Sequence, residues 1–342
     1  MSVTDPHIIS EKRGHLGLLT LARPQALNAL THGMVKAIAA SLSEWAMDDG
    51  IRAVAIRGEG RAFCAGGDIR AVQQAVMAGS DEGAALLRDE YHMNALIDAY
   101  PKPYVALIHG ICMGGGAGVS VHGSHRLADA SLGFAMPETA IGFVPDIGSS
   151  HFLSRAPAEM GMYLGLTAER IGLGDALEAG FVTHAVNAAD FDAVIEGLTK
   201  GESVDEAIAP FVRKAGPGTL APHRRQIQTI FAGSSVEAIL ERLDRDGSEF
   251  ARTTAQIIRA RSPTSLKIVF RQLRAAAKLN LKECLEMELR LALRLLPGHD
   301  FREGVRAALI DKDRAPKWQP SALAGVGDIG PFFAPLSNGD LF

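Results

Sequence analysis

Short apolar runs separated by helix-period segments limit what this chain can fold into more than any other feature. Leu16–Leu21 reads as a strand, a turn follows at Arg23-Pro24, and Thr31 caps a helix to about Asp48, where Met34, Ile38, Leu42 and Trp45 recur at helical spacing. Asp48-Asp49-Gly50 ends it. Residues 51–57 (IRAVAIR) are strand-like, the loop GEGRAFCAGGD leads to a helical pattern from about Ile69, and residues 104–109 are strand again. The glycine cluster 114–118 comes next, with 119–122 expected to continue as helix, then two short extended pieces between Arg126 and Met136. This is the alternation of a βαβ-type chain. From Val236 onward the segments VEAILERLDRDGSEFARTTAQII, SPTSLKIVFRQLRAAAKL, LKECLEMELRLALRLL and HDFREGVRAALI are all amphipathic and helix-forming. With 342 residues, about two domains fit. The expected division is an α/β core at 1–200 and a C-terminal helical region at 201–342.

Charge and cysteine content exclude several functions. The 35 Lys+Arg against 39 Asp+Glu leave a net charge of −4, so no global basic field exists to hold nucleic acid, and a polyanionic ligand needs locally placed Arg or Lys. Cys64, Cys112 and Cys284 are odd in number, widely spaced and without a CxxC pair, which encodes neither a disulfide framework nor a zinc ribbon. The opening MSVTDPHIISEKRGHLGLLTL matches neither a secretory nor an organelle-transit pattern, and no apolar run nears the roughly 20 residues of a membrane span. A cytoplasmic protein without membrane contact is expected.

The motifs narrow the chemistry by elimination. The glycine cluster does not complete GxGxxG, GxxxxGK[ST] is absent, and Gly118-Val119-Ser120-Val121-His122 breaks the nucleophile-elbow pattern at its last position. His122 and His125 have no HExxH or other ligand cluster around them, so no metal site is expected. What remains are two strand-to-helix loops, CAGGD at 64–68 and MGGGAG at 113–118. Backbone N–H groups where a helix starts are unpaired donors suited to an oxyanion, and glycine allows close approach. Tight turns alone would also account for these glycines, and the residues by themselves do not name a reaction. Asp146, read alone, is equally a helix N-cap before IGSSHFL, and Glu138 a loop carboxylate.

RPQALNAL (23–30), RAFCAGGDIR (61–70), KPYVALIHGICMGGGAGVSVHG (102–123) and FAMPETAIGFVPDIG (134–148) resemble the crotonase, or enoyl-CoA hydratase/isomerase, superfamily. The likeness to its thioester-hydrolase branch extends through RDEYHMN (88–94), RSPTSLKIVFRQL (261–273), MELRL (287–291) and GHDFREGVRAALIDKDRAPKW (298–318), most of the chain. The resemblance implies a crotonase (ClpP-like) α/β fold of repeated ββα units with a C-terminal helical region. It also implies an acyl-CoA substrate, with CoA part of that substrate and no separate cofactor, and either a trimer-based homo-oligomer or a monomer.

Carried over residue by residue, the resemblance makes the N–H groups of Gly67 and Gly115 an oxyanion hole, Glu138 and Asp146 the catalytic acids, and Glu90 a substrate contact beside Gly115, Glu138 and Asp146. Ala26, Ala65, Gly66, Asp68 and Ile69 fall where the family binds CoA, Asp68 also as a helix cap. The hydratases use two glutamates. This chain keeps Glu138, has Gly118 at the other position, and carries Asp146 eight residues after Glu138, as the hydrolases do. Gln25 replaces a family lysine near the CoA phosphates, leaving Arg23, Arg61 or Lys317 as replacements, and Ser149 and Ser150 stand where the hydrolases have glycines. The implied activity is hydrolysis of a short branched 3-hydroxyacyl-CoA thioester of valine breakdown, with a hydratase/isomerase or a non-catalytic scaffold as rivals.

Overall fold

In the computed structural model, which describes residues 4–337, 339, 341 and 342, the alternation resolves into paired strands, each pair followed by helix. The order is β1 (Ile8–Arg13), β2 (Leu16–Leu21), α1 (His32–Ala46), β3 (Ala53–Gly58), β4 (Ala62–Cys64), α2 (Ile69–Met77), α3 (Glu82–Asp98), β5 (Tyr104–Ile108), β6 (Ile111–Met113), α4 (Gly115–Gly118), β7 (His125–Ala128) and β8 (Gly133–Ala135). There follow α5 (Ser149–Leu153), α6 (Met160–Thr167), α7 (Leu173–Glu178), β9 (His184–Val186), α8 (Phe191–Lys200), α9 (Val204–Ile208) and β10 (Val212–Arg213). The helices α10 (Arg224–Phe231), α11 (Val236–Asp246), α12 (Glu249–Arg259), α13 (Pro263–Ala276), α14 (Leu281–Leu295) and α15 (His299–Val305) complete it. Both strands of the β1/β2 pair enter a seven-stranded sheet, β1-β2-β3-β5-β7-β9-β10, whereas in the pairs β3/β4, β5/β6 and β7/β8 the first strand enters that sheet and the second a three-stranded sheet, β4-β6-β8. These are the ββα units of a crotonase fold.

Within the large sheet β2, β3, β5, β7 and β9 run parallel and are almost wholly buried, as a parallel sheet requires. Leu16, Leu18, Ala53, Ala55, Val105, Leu107 and Leu127 alternate onto one face and pack against Phe191, Val194, Ile195 and Leu198 of α8 with Val204, Ala207 and Ile208 of α9. Thr31 caps α1 as its sequence indicates, its side chain accepting from the Met34 N–H at 3.2 Å. Gly247, at φ +64°, splits the long 236–258 segment into α11 and α12, each opened by a serine cap.

Two local expectations change. β1 was not foreseen: it is an edge strand whose pattern IISEKR is mostly exposed, paired antiparallel with β2 through a turn at Gly14, φ +54°. The helix expected at 119–122 lies instead inside the glycine cluster, as α4, followed by turn. Contacts group the chain into two compact units, Met1–Asp68 with Asp89–Phe134 and Ile171–Thr219, and Ile69–Arg88 with Ala135–Arg170 and Leu220–Phe342. These interleave along the sequence, where the sequence reading drew one boundary at 200/201. Among the described residues no helix is long and apolar enough to cross a membrane.

In the first unit one polar side chain ties three loops together. Asn28, fully buried, accepts from the Arg23 N–H (2.9 Å) and donates to the carbonyls of Glu59 (2.9 Å) and Ala62 (2.9 Å). Asn28→Ala strands those backbone groups out of water, at about 1 to 3 kcal/mol for a buried unsatisfied group. Urea unfolding should show a loss of at least that size with an unchanged slope; a loss under about 0.5 kcal/mol, the scale of an ordinary surface substitution, contradicts the assignment.

Candidate active site

The first unit builds a pair of amide donors that make no hydrogen bond among the described residues. Leu27 and Asn28 both take left-handed conformations, φ 52° and 57°. The Leu27 carbonyl then accepts from the Ala65 N–H (3.0 Å) and the Leu30 N–H donates to the Gly66 carbonyl (2.8 Å). RPQALNAL is thus a template against which CAGGD is laid. Gly66, at φ +117°, and Gly114, at φ 47° and ψ −121°, hold conformations that side chains rarely adopt, and each turns the chain immediately before the amide that matters. A Cβ placed on Gly115 would stand 3.2 Å from the Gly67 nitrogen and 2.8 Å from Glu90 Oε1, so both loops and the α3 carboxylate converge on one point. Among the described residues neither the Gly67 nor the Gly115 N–H donates a hydrogen bond.

The surroundings of this point are fixed by polar contacts. Glu90 is buried at 4% exposure, and its neighbour Asp89 holds α3 to α1 through His32 Nε2 at 2.7 Å. Arg23 is committed to Asp68 (2.9 Å) and to the Ala29 carbonyl (3.1 Å), which competes with the phosphate role considered for it. Ala26, Ala65, Gly66, Asp68, Gly67, Gly115 and Glu90 all belong to this unit, whereas Ile69 opens α2 in the other.

Among the described residues the second unit buries four acidic side chains, Glu138, Asp146, Glu288 and Asp300, of which the first three act on one another. Glu138 opens a 3-10 turn after Pro137, closed by Gly142 in a left-handed conformation (φ 69°) because a side chain there would strike the Asp300 backbone. Its side chain is buried, and Oε2 has no hydrogen-bond partner among the described residues. Burial first, then the nearby charges of Asp146 and Glu288, push the Glu138 carboxyl well above the usual range.

Asp146, also buried, is followed by Ile147 at φ 59° and Gly148 at φ 79°. A β-branched residue in that region is strained by roughly 1 to 3 kcal/mol and persists only where its surroundings hold it. Gln272 of α13 donates to the Pro145 carbonyl (2.7 Å) on one side. Glu288 of α14, with no exposure at all, accepts from the Gly148 N–H (2.6 Å), the Ser150 N–H (2.8 Å) and the Ser150 hydroxyl (2.6 Å) on the other. Burial drives Glu288 up to about 8 against these bonds.

The helix-cap reading of Asp146 is therefore corrected. The N-cap of α5 is Gly148, which has no side chain, and Glu288 meets the orphan amides instead. Sequence reasoning missed Glu288, Gln272 and Asn28. Glu288 left one signal: it occupies the apolar stripe Leu281, Cys284, Leu285, Leu291, Ala292 and Leu295 of α14, where a charge must have an interior partner. No group of three or more His, Cys, Asp or Glu among the described residues is arranged to hold a metal ion.

Paired strand-to-helix amide donors and a buried acid on a separate loop define a class, and the sequence comparison agrees with it. The chain belongs to the enoyl-CoA hydratase/isomerase family, whose model matches residues 16–329. Within that family it is similar to proteins named 3-hydroxyisobutyryl-CoA hydrolase, mitochondrial. The Xenopus tropicalis protein is 45% identical, covering 99% of this chain and 92% of its own length. The Homo sapiens protein is 42% identical, covering 98% and 90%. A solved carnitinyl-CoA dehydratase from Mycobacterium thermoresistibile superposes with TM-score 0.94 at 38% identity over 98% of both chains. An enoyl-CoA hydratase from Rhodobacter sphaeroides 2.4.1 gives 0.92 at 38% identity over 98% of this chain and 99% of its own. The expectation of a cytoplasmic protein is overturned, since these hydrolase relatives are named as mitochondrial; a polar opening segment does not decide the compartment.

The buried acids should be visible in stability. Glu138 binds its proton more tightly folded than unfolded, so between the ordinary glutamate pKa of 4.5 and its raised native value the folded state holds more protons, and stability falls as pH rises. Glu138→Gln removes that decline. Denaturant titrations at pH 5 and pH 8 should find the variant more stable than wild type at pH 8 and closer to it at pH 5. A variant less stable at pH 8 contradicts the description of Glu138.

Proposed function

We propose that this protein hydrolyses 3-hydroxyisobutyryl-CoA, a short branched 3-hydroxyacyl thioester, to the free acid and CoA, as a step of valine breakdown. The observation that carries the reading is Glu138, a buried carboxyl with one oxygen unpaired among the described residues and raised by burial and by the neighbouring acids Asp146 and Glu288, in a chain whose position 118 is glycine. The names of the hydrolase relatives support the same substrate.

The amides of Gly67 and Gly115 receive the thioester carbonyl oxygen and stabilise the negative charge that develops on it. Glu138, once ionised, either attacks the carbonyl carbon to give a mixed anhydride that water cleaves, or removes a proton from attacking water; in both routes the C–S bond breaks and CoA leaves as thiol. Asp146 holds Glu138 in a high-pKa state and orients water. Glu90, facing Gly115, accepts a hydrogen bond from the substrate 3-hydroxyl. Ala26, Ala65, Gly66, Asp68 and Ile69 line the CoA path. CoA is part of the substrate, and the chemistry calls for no separate cofactor.

The solved relatives described as a dehydratase and a hydratase favour a second reading, water addition to an enoyl-CoA. That reaction, as the family performs it, uses a second acid where this chain has Gly118.

Glu138→Gln should remove thiol release from 3-hydroxyisobutyryl-CoA almost entirely through kcat, with KM little changed, because the amide is neither nucleophile nor base. Near wild-type turnover would exclude Glu138 from the chemistry. Gly115→Ala presses a methyl against Glu90 and the Gly67 amide. Loss of one well-placed oxyanion donor is worth about 10² to 10³ in rate. Steady-state assays should show a fall of that order in a protein that still melts cooperatively, and retention of most activity would place the carbonyl elsewhere.

A further inference from the structure

We propose that Glu288 is a positioning residue for this reaction, reaching from α14 to hold the turn that carries Asp146 and placing its carboxylate beside the Glu138–Asp146 pair. The inference rests on the hydrolase reading for its assay, but its grounds are geometric. Glu288 is fully buried and accepts three hydrogen bonds, from the Gly148 N–H, the Ser150 N–H and the Ser150 hydroxyl, at 2.6 to 2.8 Å. The two amides belong to the segment just after Ile147, whose left-handed backbone a β-branched residue adopts only under constraint. Gln272 fixes the carbonyl of Pro145 on the other side of Asp146. Asp146 is thereby held from both directions by polar side chains of the C-terminal helices.

A purely structural post could have been an amide or a hydroxyl. A carboxyl in that place adds negative charge near two other acids once it ionises, near pH 8, and Asp146 raises Glu288 just as Glu288 raises Glu138. The elements packed about Glu288 also carry Cys284, Lys282, Glu283, Glu286, Arg290 and Arg294 on α14 itself, and His151 and Arg155 on and just after α5. Ser150, which stands where the hydrolases have glycine, adds the hydroxyl donor. In this chain the clamp therefore has one more bond than backbone amides alone provide.

The test compares wild type, Glu288→Gln and Ser150→Ala in thiol release from 3-hydroxyisobutyryl-CoA across pH 5 to 9, with circular dichroism and melting as controls for folding. Glu288→Gln keeps the shape but turns one acceptor into a donor facing donors. Its kcat should fall at least about tenfold, since a misplacement of about 1 Å costs on the order of 100-fold, with KM changed far less. Glu288 takes up its charge only near pH 8; the variant lacks that charge, so Glu138 ionises more easily in that range and the upper part of the acid limb of the rate profile moves to lower pH. Ser150→Ala removes one of three bonds and leaves both backbone bonds, so it folds; its limb moves in the same direction by less. A folded Glu288→Gln with wild-type kcat and an unmoved limb overturns the proposal. If Glu288→Gln fails to fold, an unmoved limb and unchanged kcat in Ser150→Ala overturn it. Absence of thiol release in wild type sinks the hydrolase reading, and this inference with it, whereas an active wild type with indifferent variants sinks this inference alone.

Discussion

A carboxyl group removed from water is costly unless hydrogen bonds or opposite charge compensate it, and three of those the second unit buries, Glu138, Asp146 and Glu288, lie within electrostatic reach of one another. At Glu138 burial acts first, and the charges of Asp146 and Glu288 add to it. Its proton is therefore held tightly, its Oε2 has no hydrogen-bond partner among the described residues, and the loop's own backbone bonds are joined by side chains from distant helices. Much of the C-terminal region can be understood from this arrangement. Gln272 on α13 and Glu288 on α14 both spend buried polar groups on backbone atoms flanking Asp146. Gly142 lets the Glu138 turn meet the backbone of Asp300, and the Asp300 side-chain carboxylate accepts from the Ser262 hydroxyl at 2.6 Å.

The first unit meets the complementary requirement, donors without acceptors. Gly67 and Gly115 present amides at the ends of two strands, and the backbone around them is too contorted for side chains at Gly66 and Gly114. That contortion is sustained by the buried Asn28 amide and by the two backbone bonds that lay the 27–30 loop on the 64–67 loop. An acceptor-poor pair of amides and an acid reluctant to ionise are what acyl transfer through an oxyanion needs.

The large features were legible because they rest on periodicity and caps. The parallel strands β2, β3 and β5, the capped α1 and the four amphipathic C-terminal segments appear close to where their patterns put them. β1 was hidden because an exposed edge strand lacks alternating burial, and the α4 helix because glycine has the propensity of a turn. At the site, the two glycine loops declared backbone donors, but which acids mattered came only from family likeness. Asp146 looked like a helix cap until α5 was seen to be capped across 138 residues by Glu288. Such long-range pairings leave only an indirect trace, a charge on an apolar stripe, which a helical pattern alone does not connect to a loop far back in the chain.

The central claim is that one buried glutamate, an aspartate and a glycine at 118 make this site a thioester hydrolase and not a hydratase. The direct measurement is a ratio on one preparation: thiol release from 3-hydroxyisobutyryl-CoA against loss of enoyl absorbance from crotonyl-CoA. Hydration needs two acids flanking the substrate, and an error of about 1 Å in such geometry costs on the order of 100-fold. Hydrolysis should therefore exceed hydration by at least about that factor. Comparable rates, or faster hydration, would contradict the account.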